Sequence, residues 1–352
     1  MRFKHKCINA SSLVVCFLPS TRPHTIDFMR VFTWHIHGSY LYYLSQGDYT
    51  IYIPITQFQK EEGYYGRGGT FPFPDNVIEI PVEDVRHTDF DCILFQTAKN
   101  YTTDQYQILS ETQRQLPRIY LEHNTPEGHP TNTKHPMQDA AVTLVHVTHF
   151  NKLMWDAGNV PTTVIEHGVT ESTVDYSGDV ERGLVVINNL PSRGRLLGLD
   201  IFLEARKYVP LDLVGMGTGE LGLDEVLHPK LPAFRSRYRF FFNPIRWTSL
   251  GLAVCEAMMA GVPIVGLATT ELSSVIENGR SGFIHTDLSY LIGKMKDLLH
   301  DKTLARRIGE EGRKVAQQRF NIERFTHEWK SVFESAIQRN HAASLAPVLS
   351  AS

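Results

Sequence analysis

One acidic side chain, Glu256, stands in a segment that is otherwise apolar. The surrounding residues from Ala253 to Met259 are Ala, Val, Cys and Met. Burying a carboxylate among such side chains costs free energy unless a partner pairs with it. Two interpretations follow: the carboxylate is tied to a backbone amide, an arginine or a water, or it accepts hydrogen bonds from ligand hydroxyls. Because a buried unpaired acid often marks a site, Glu256 is a candidate binding residue.

The helix that carries Glu256 is predicted to lie between two strands. Residues 238–242 form an apolar run typical of a buried strand, and residues 262–267 predict the next one. Residues 250–260 are rich in Ala, Leu and Met, which favour a helix. Thr248 or Ser249 is the expected N-cap, and Gly261 ends the helix. The segment therefore predicts a parallel strand–helix–strand unit.

The start of this helix predicts a phosphate site. Leu250 and Gly251 present backbone N–H groups there, where the helix dipole is positive. Thr248 precedes Glu256 by eight residues, which is about 12 Å along a helix. Phosphates at the helix start and ribose hydroxyls on Glu256 fit one nucleoside diphosphate.

The segment resembles the donor-binding motif of family 4, or group 1, retaining glycosyltransferases, which have the GT-B fold. That motif reads roughly E-G-F-G-L-x-x-x-E-A-M-A-x-G-x-P-V-V, and this chain has T-S-L-G-L-A-V-C-E-A-M-M-A-G-V-P-I-V at residues 248–265. Residues 276–283 also resemble the family's continuation. The resemblance implies nucleotide binding by Glu256. Thr248 stands where the family has its first glutamate, which puts the contact with the donor sugar in doubt.

Length and composition restrict the class of protein. A chain of 352 residues predicts about two domains, and 42% hydrophobic with 21% charged residues is typical of a globular protein. A net charge of −3 gives no indication of nucleic-acid binding. Four scattered cysteines favour a reduced, cytoplasmic compartment. No run approaches the ~20 apolar residues of a membrane span, although peripheral membrane contact is compatible with the sequence.

The order of elements predicts an α/β protein with two Rossmann-like, doubly wound domains. Residues 1–28 are expected to be a disordered or non-native leader before Met29. The expected first domain is 29–172, the second is 173–338, and 339–352 is a flexible tail. Predicted strands of the first domain are residues 30–35, 50–54, 77–81, 91–96, 117–122, 141–147 and 162–166, and its predicted helices are 38–45, 101–115 and 149–157.

Loops that follow the predicted strands of the first domain carry the candidate acceptor and catalytic residues. His37, Gly38 and Tyr42 follow the first strand, where the resemblance implies an acceptor site; aromatic packing at a helix start is the alternative. His123 follows the strand 117–122, where the resemblance implies a histidine that faces the cleft, and it is the candidate catalytic residue, in contact with the donor sugar or leaving group. Residues 62–74, rich in Gly, Pro and aromatic residues, predict a long loop that covers an acceptor or is only mobile.

The second domain carries further candidates for binding the donor. Arg193 and Arg195 lie just before Leu197 and Gly198, which occupy the place of the family's Lys-Gly pair, and they would neutralise the donor pyrophosphate. Gly215 and Gly217 belong to a glycine loop that resembles the family's G-x-G loop, which the resemblance implies lies near the nucleotide base. Residues 302–318 and 322–338 predict the last two helices, and an aromatic stripe on the final helix is expected in the core. In GT-B proteins this helix packs back on the first domain.

Together the residues and the resemblance imply retaining transfer of a sugar from a nucleotide-diphosphate donor to a carbohydrate, lipid-linked or other small acceptor. The nucleotide sugar is a co-substrate, and neither a cofactor nor a metal site is predicted, since the spacing of His123, His129 and His135 fits no familiar zinc site. One alternative is a GT-B-type epimerase, which needs extra carboxylates such as Glu122 and Glu166. The other is a non-catalytic nucleotide-sugar binder, which Thr248 favours.

Overall fold

A computed structural model describes residues 29–349 apart from 59–60 and 224, with side chains described as far as residue 340. The predicted leader, residues 1–28, lies outside the described residues. Two parallel sheets, each flanked by helices, make up the described part of the chain. The polypeptide passes from one sheet to the other between residues 165 and 179, a segment that contains the predicted domain boundary.

The first sheet has seven strands in the order β3-β2-β1-β4-β5-β6-β7, and each recorded neighbour pair is parallel. Both faces of its central strands are covered, which explains why they read as continuous apolar runs. The predicted strands are confirmed, with ends that differ by at most two residues. They are β1 (Arg30–Thr33), β2 (Thr50–Ile55), β3 (Val77–Pro81), β4 (Cys92–Phe95), β5 (Arg118–Glu122), β6 (Val142–His146) and β7 (Thr162–Val164).

The helices of the first domain are α1 (Gly38–Leu44), α2 (Gln105–Ile108) and α3 (His149–Met154). The single helix predicted over residues 101–115 is wrong: a π-helical turn at Asn100–Asp104 precedes α2, and a 3-10 turn follows at Gln113–Gln115. The interruption has a local cause. The side chains of Ser110 and Gln113 each accept a hydrogen bond from the other's backbone N–H, which competes with helical pairing.

The second sheet has five parallel strands in the order β12-β11-β10-β8-β9. Its strands are β8 (Val180–Val186), β9 (Leu211–Val214), β10 (Tyr238–Asn243), β11 (Ile264–Leu267) and β12 (Phe283–His285). Its helices are α4 (Leu190–Arg193), α5 (Leu199–Ala205), α6 (Leu231–Arg235), α7 (Leu252–Met259), α8 (Leu272–Val275), α9 (Leu288–His300), α10 (Lys302–Arg319) and α11 (Ile322–Leu349). The sequence did not predict β12 or α9.

The last helix, α11, joins the two domains. Its aromatic stripe is fully buried at Phe325, Trp329 and Phe333, which confirms the predicted core position of these residues. Trp329 contacts Tyr40 of α1, so the helix packs on the first domain. The predicted end at residue 338 is wrong, because α11 continues to Leu349 through part of the expected tail. The residues beyond 338 include several alanines, which are strong helix formers.

The chain crosses between the domains a second time where α10 gives way to α11, and the two crossings touch. The backbone N–H of Val169, in the first crossing, donates to the carbonyl of Phe320 at 2.9 Å. Val169 also forms a parallel bridge with Asn321. Nearby, the guanidinium of Arg319 pairs with Glu166 from the first crossing and, at 3.1 Å, with Glu271. Backbone pairing and ion pairs therefore hold the two crossings side by side.

Candidate donor and acceptor site

A cavity of about 580 Å³ opens between the domains at the carboxyl ends of their strands. One wall follows β1 and includes the start of α1, and the other follows β8 and β9 and includes the first turn of α7. Ligands of parallel α/β sheets bind at this end of the strands. Polar or glycine residues on its walls include His35, Gly38, Tyr65, Arg67, Thr70, Asn188, Gly215, Glu225, His228 and Glu256.

Glu256 lies on the cavity wall, but its carboxylate already has protein partners. Arg235, the last residue of α6, pairs with Oε2 through Nη1. The hydroxyl of Tyr43, on α1 of the other domain, donates to Oε1 at 2.8 Å. Nε2 of His228 lies 3.6 Å from the same oxygen. Glu256 is therefore a buried glutamate tied to an arginine, as one of the two interpretations held. It also lies on the wall of the cavity.

These partners keep Glu256 ionised. Burial on its own raises the pKa of the Glu256 carboxyl, but the charge of Arg235, together with His228 and Tyr43, outweighs burial and lowers this pKa to about 2. The side chain of Arg235 is only 6% exposed and that of Glu256 only 4%. The pair thus presents an ionised carboxylate in a largely dehydrated setting, which strengthens any hydrogen bond that it accepts.

The helix that carries Glu256 begins later than the sequence predicted. α7 starts at Leu252 with Gly251 at its N-cap, so neither Thr248 nor Ser249 caps it. Pro244 and the bends that follow it keep these residues in an irregular loop. Only about 6 Å of helix therefore separates Leu252 from Glu256. The remainder of the chain between Thr248 and Glu256, which was expected to be helical, belongs to the loop before α7.

This loop is held from the first domain. Nε2–H of His167 donates to the carbonyl of Leu250 at 2.7 Å. The indole N–H of Trp247 donates to the carbonyl of Pro126, in the loop after β5, at 3.1 Å. Thr248, Ser249 and Gly251 are not among the residues that line the large cavity. The loop is anchored at Trp247 and at Leu250. It leads into the first turn of α7, which does line the cavity.

The two candidate arginines differ in their surroundings. Arg195 pairs with Asp200 at 2.5 Å, and its side chain is 76% exposed. Asp200 also receives two hydrogen bonds from Arg246. Arg193 has no acidic partner within 4 Å among the described residues, and its charge acts on His37 across the cleft. Of the pair, Arg193 is therefore the one whose charge is not neutralised by a neighbouring acid in the described part of the chain, although neither arginine lines the large cavity.

The glycine loop after β9 is built on the end of β8. Gly215 has φ +144°, and a Cβ there would lie 2.6 Å from the carbonyl of Ile187. Asn188 accepts a hydrogen bond from the backbone N–H of Met216 at 2.9 Å. Gly215 and Asn188 both line the cavity, whereas Gly217 does not. The close approach of backbone to backbone at Gly215 requires a residue without a side chain.

His123 lies in a buried cluster of rings behind the cavity. Its ring centroid is 4.1 Å from that of His37 and 4.8 Å from that of Tyr40. Gln96 donates through its amide nitrogen to Thr33 and Trp34, so its oxygen accepts from Nε2–H of His123 at 3.1 Å. His123 is not among the residues that line the large cavity. Its catalytic role stays a prediction.

Burial keeps the histidines of this cluster neutral. Burial lowers the pKa of His123 well below its ordinary value, and His37 and His167 act in the same direction. Burial, then the charge of Arg193 and the neighbouring His35, lowers the pKa of His37 to about 4. The pKa of His167 is also about 4, chiefly because of burial. At neutral pH these rings offer hydrogen-bond donors and acceptors without a charge.

Of the predicted acceptor residues, Gly38 and Tyr42 line different cavities and His37 lines neither of them. Gly38 lines the large cavity, where an added Cβ would lie 2.3 Å from the ring of Phe71. Tyr42 lines a neighbouring cavity of about 170 Å³, together with Tyr43 and His228. The glycine-rich loop lies over the end of β1, where backbone bridges join Gly63 and Tyr65 to the strand ends. It contributes Tyr65, Arg67, Gly68, Thr70 and Phe71 to the large cavity.

Sequence reasoning missed several wall residues and the partners of Glu256. Tyr43, His228 and Arg235 are distant in sequence from Glu256 and belong to no recognised motif. The only signal was the free-energy cost of a buried acid, which requires a cationic or hydrogen-bonding partner without naming it. Within the described ranges, no group of three or more His, Cys, Asp or Glu residues is arranged to hold a metal ion. Among the described residues, no helix combines the length and the apolar composition of a membrane-spanning segment.

Comparison with known proteins places this site in context. Residues 212–301 match the model of the family described as "Glycosyl transferases group 1". The matched segment contains Gly215, Arg235 and Glu256. N-acetyl-alpha-D-glucosaminyl L-malate synthase of Bacillus anthracis is 27% identical over 92 residues, which are 26% of this chain and 24% of that protein. The family match and the named relatives support a transferase.

A second relative is the capsular polysaccharide biosynthesis glycosyltransferase CapM of Staphylococcus aureus. It is 24% identical over 202 residues, covering 54% of this chain and 50% of CapM. The matched segments thus span about a quarter of the length of the Bacillus anthracis synthase and half of the length of CapM.

A solved structure of Anabaena HepE in complex with UDP-glucose superposes with a TM-score of 0.64 and 13% identity, over 87% of this chain and 100% of HepE. The fold is GT-B. The GT-B prediction made from the sequence is therefore confirmed, with the cavity lying in the cleft between the two Rossmann-like domains.

Proposed function

We propose that this protein is a retaining glycosyltransferase that transfers a sugar from a nucleotide-diphosphate donor to a carbohydrate, lipid-linked or other small acceptor. The observation that carries the proposal is the cavity between the carboxyl ends of the two sheets, with an ionised Glu256 on the donor side. CapM is named for capsular polysaccharide biosynthesis, which favours a role in glycan or glycoconjugate synthesis. We place the reaction in the cytoplasm, with peripheral contact at a membrane if the acceptor is lipid-linked.

On the donor side, the nucleotide lies along the second domain. Glu256 accepts hydrogen bonds from the ribose hydroxyls, and Gly215 allows the base to approach the backbone. The diphosphate lies beside the first turn of α7, where the dipole favours an anion, and Arg193 supplies a positive charge. HepE was solved with UDP-glucose bound, which supports a ligand of this class in a GT-B cleft.

On the acceptor side, the wall is formed by α1 and the glycine-rich loop. Gly38 allows the ring of Phe71 to lie against the start of α1, while His35, Tyr65 and Thr70 supply groups able to hydrogen-bond a hydroxylated molecule. The apolar ring of Phe71 offers a surface against which a sugar ring packs. Small polar acceptors with several hydroxyl groups fit a wall of this composition.

The chemistry needs no nucleophile from the protein. The bond between the anomeric carbon and the phosphate oxygen breaks, and the acceptor oxygen bonds to the same carbon on the same face. The acceptor's proton passes to the departing phosphate, so the products are the glycoside and the nucleoside diphosphate. Arg193 and the start of α7 stabilise the charge that develops on this phosphate. His123 orients the sugar through His37 or contacts it after the domains move. Neither a metal nor a cofactor enters this scheme.

The two carboxylates named for the epimerase alternative lie elsewhere in the structure. Glu122 accepts hydrogen bonds from His135 at 2.9 Å and from the backbone N–H of Asn124 at 2.7 Å. Glu166 pairs with Arg319 at the crossing between the domains. Neither carboxylate lines the large cavity. A non-catalytic binder remains the second candidate, because Thr248 stands where an acid is expected beside the donor sugar.

Ligand binding and product analysis together test the proposal. Thermal shift and calorimetry with UDP, ADP, GDP and their common glucose, N-acetylglucosamine and mannose conjugates should identify one nucleotide that binds. That donor should then be consumed only when a hydroxylated acceptor is added, and NMR of the product should show retained anomeric configuration. Release of an epimer from the donor alone would favour an epimerase, and binding without turnover would favour a binder. No binding of any nucleotide would contradict the proposal.

A further inference from the structure

The two oxygens of the Glu256 carboxylate are held from different domains. Oε2 pairs with Arg235, which belongs to α6 of the same domain. Oε1 accepts the hydroxyl of Tyr43, which belongs to α1 of the opposite domain. One partner is a charged group of the same domain, whereas the other is a hydroxyl from the opposite domain.

We propose that Arg235 is a positioning residue for Glu256, and that the Tyr43 hydroxyl occupies the place which a donor ribose hydroxyl takes on Oε1. This inference rests on the proposed function, because it concerns the ribose contact of the donor. It adds two residues to the donor site: Arg235 fixes the carboxylate, and Tyr43 competes with the nucleotide for it.

Arg235 meets the requirements of a positioning residue. The whole of Arg235, backbone included, is 5% exposed, so its charge needs a partner as much as that of Glu256 does. A buried ion pair restricts the carboxylate to one orientation, with Oε2 engaged and Oε1 directed to other groups. Arg235 does not line the large cavity, so it acts on a ligand there through Glu256.

Tyr43 meets the requirements of an exchangeable partner. A phenol and a ribose hydroxyl both donate one O–H to a carboxylate, so either satisfies the same lone pair. His228 already lies 3.6 Å from Oε1, and burial leaves little other access to that oxygen. Tyr43 also lines the cavity of about 170 Å³, which offers space into which its side chain can move away from Glu256.

The charged and titratable groups that face Glu256 come from several elements of both domains. Arg235 comes from α6, His228 from the 3-10 turn His228–Lys230, and Tyr43 from α1. Tyr42 of α1 and His167 also interact with its charge. When Arg235 is removed, the strongest interaction that opposes burial is lost, so the protonated carboxyl becomes more favourable and binding of a ribose by Glu256 becomes sensitive to pH.

The exchange is tested with Tyr43→Phe and a matched pair of ligands. Calorimetry compares UDP, ADP and GDP with their 2′,3′-dideoxy counterparts, which lack the hydroxyls in question. We expect Tyr43→Phe to bind the ribose form of the recognised nucleotide about tenfold more tightly than wild type, because no hydrogen bond must be broken. The dideoxy form should bind both proteins equally. Unchanged or weaker ribose binding by Tyr43→Phe, or an equal gain with the dideoxy form, would overturn the exchange.

The positioning role is tested with Arg235→Met and Arg235→Lys. Arg235→Met should bind the same ribose nucleotide about 10- to 100-fold more weakly at pH 7.5, with a further loss between pH 8 and 6 that wild type does not show. Arg235→Lys restores a charge and should recover part of the affinity and remove the pH dependence. Arg239→Met is the matched control, since Arg239 is similarly buried but donates to carbonyls of Gly178, Leu298 and Leu299 and pairs with the exposed Glu181 rather than with Glu256.

The possible outcomes separate this inference from the proposed function. If wild type and Tyr43→Phe both bind no nucleotide, the proposed function falls and this inference falls with it. If wild type binds a nucleotide but discriminates little between ribose and dideoxy forms, only the inference is overturned. A lower melting temperature for Arg235→Met with unchanged affinity and a flat pH profile would show that Arg235 has a structural role alone.

Discussion

The indole N–H of Trp329 donates a hydrogen bond of 3.0 Å to the hydroxyl of Tyr40, although 289 residues separate the two in the chain. Both side chains are buried almost completely. Tyr40 follows the first strand, whereas Trp329 lies in the last helix. The contact therefore fastens the C-terminal helix beside the ring cluster that contains His37 and His123.

Replacing Trp329 should destabilise the whole protein rather than only its last helix. Trp329→Ala removes a large buried side chain and leaves the Tyr40 hydroxyl without its donor, so we expect a loss of about 3–5 kcal/mol in the free energy of unfolding. Urea denaturation measures this loss. Tyr208→Ala, which removes a half-exposed ring from the second domain, should cost less than about 1 kcal/mol. Comparable losses in both variants would show that the α11 contact is not important for stability.

Glu256→Ala should weaken nucleotide binding by about 1.5–3 kcal/mol for each hydrogen bond lost to the carboxylate. It should also lower stability, because Arg235 would remain buried without its counter-charge. Calorimetry and thermal denaturation measure the two effects separately. Glu277→Gln, at an exposed position of the same domain, is the control for a lost negative charge. Unchanged affinity for every nucleotide that wild type binds would end the ribose assignment.

The two candidate arginines should differ in their effect on binding. Arg193→Ala is expected to weaken binding of a nucleoside diphosphate about tenfold or more and to leave the bare nucleoside nearly unaffected, since only the diphosphate carries charge. Arg195→Ala should have a smaller effect, because Arg195 pairs with Asp200. Titrations with the diphosphate and the nucleoside give the comparison. Equal losses for both ligands would show that Arg193 does not contact the phosphates.

Thr248→Ala should lower turnover modestly and leave nucleotide affinity nearly unchanged, because Thr248 lies in the loop before α7, away from Glu256. Thr248→Glu restores the family's acid at this position. We expect no gain in activity, since a site adapted to threonine would have to accommodate a new negative charge near phosphates. Steady-state kinetics with the identified donor measure both variants. A clear rise in turnover for Thr248→Glu would contradict the prediction.

Folding should become less favourable as the pH falls from about 6.5 towards 4. Burial lowers the pKa of His37 and of His167 to about 4, whereas in the unfolded chain both titrate near 6.5. The unfolded state binds more protons in this interval, so stability is fully present above 6.5 and is lost as the pH falls through 4. Urea denaturation at pH 7.5, 6 and 5 measures the slope. His37→Gln should flatten it, whereas His327→Gln, at an exposed position of α11, should not.

The sequence predicted the strands of the first domain well because buried parallel strands are continuous apolar runs with clear ends, as at residues 30–35. It missed β12, where three residues, Phe283–His285, are too short to give a pattern. It placed Gly38, Gly215 and Glu256 on what proved to be cavity walls, because a loop glycine and a buried acid each have a specific physical requirement. Arg235 could not be predicted, since its proximity to Glu256 arises only when the folded chain brings the end of α6 to α7.

The paired crossings between the domains limit how the cleft can change shape. The hydrogen bond of Val169 with Phe320 joins the two connecting segments, with the Arg319 ion pairs beside it. Every covalent link between the described parts of the two domains therefore passes close to this one contact. We expect any rotation of one domain against the other to be centred near Val169, with larger displacements at the open edge of the cavity than at the contact itself.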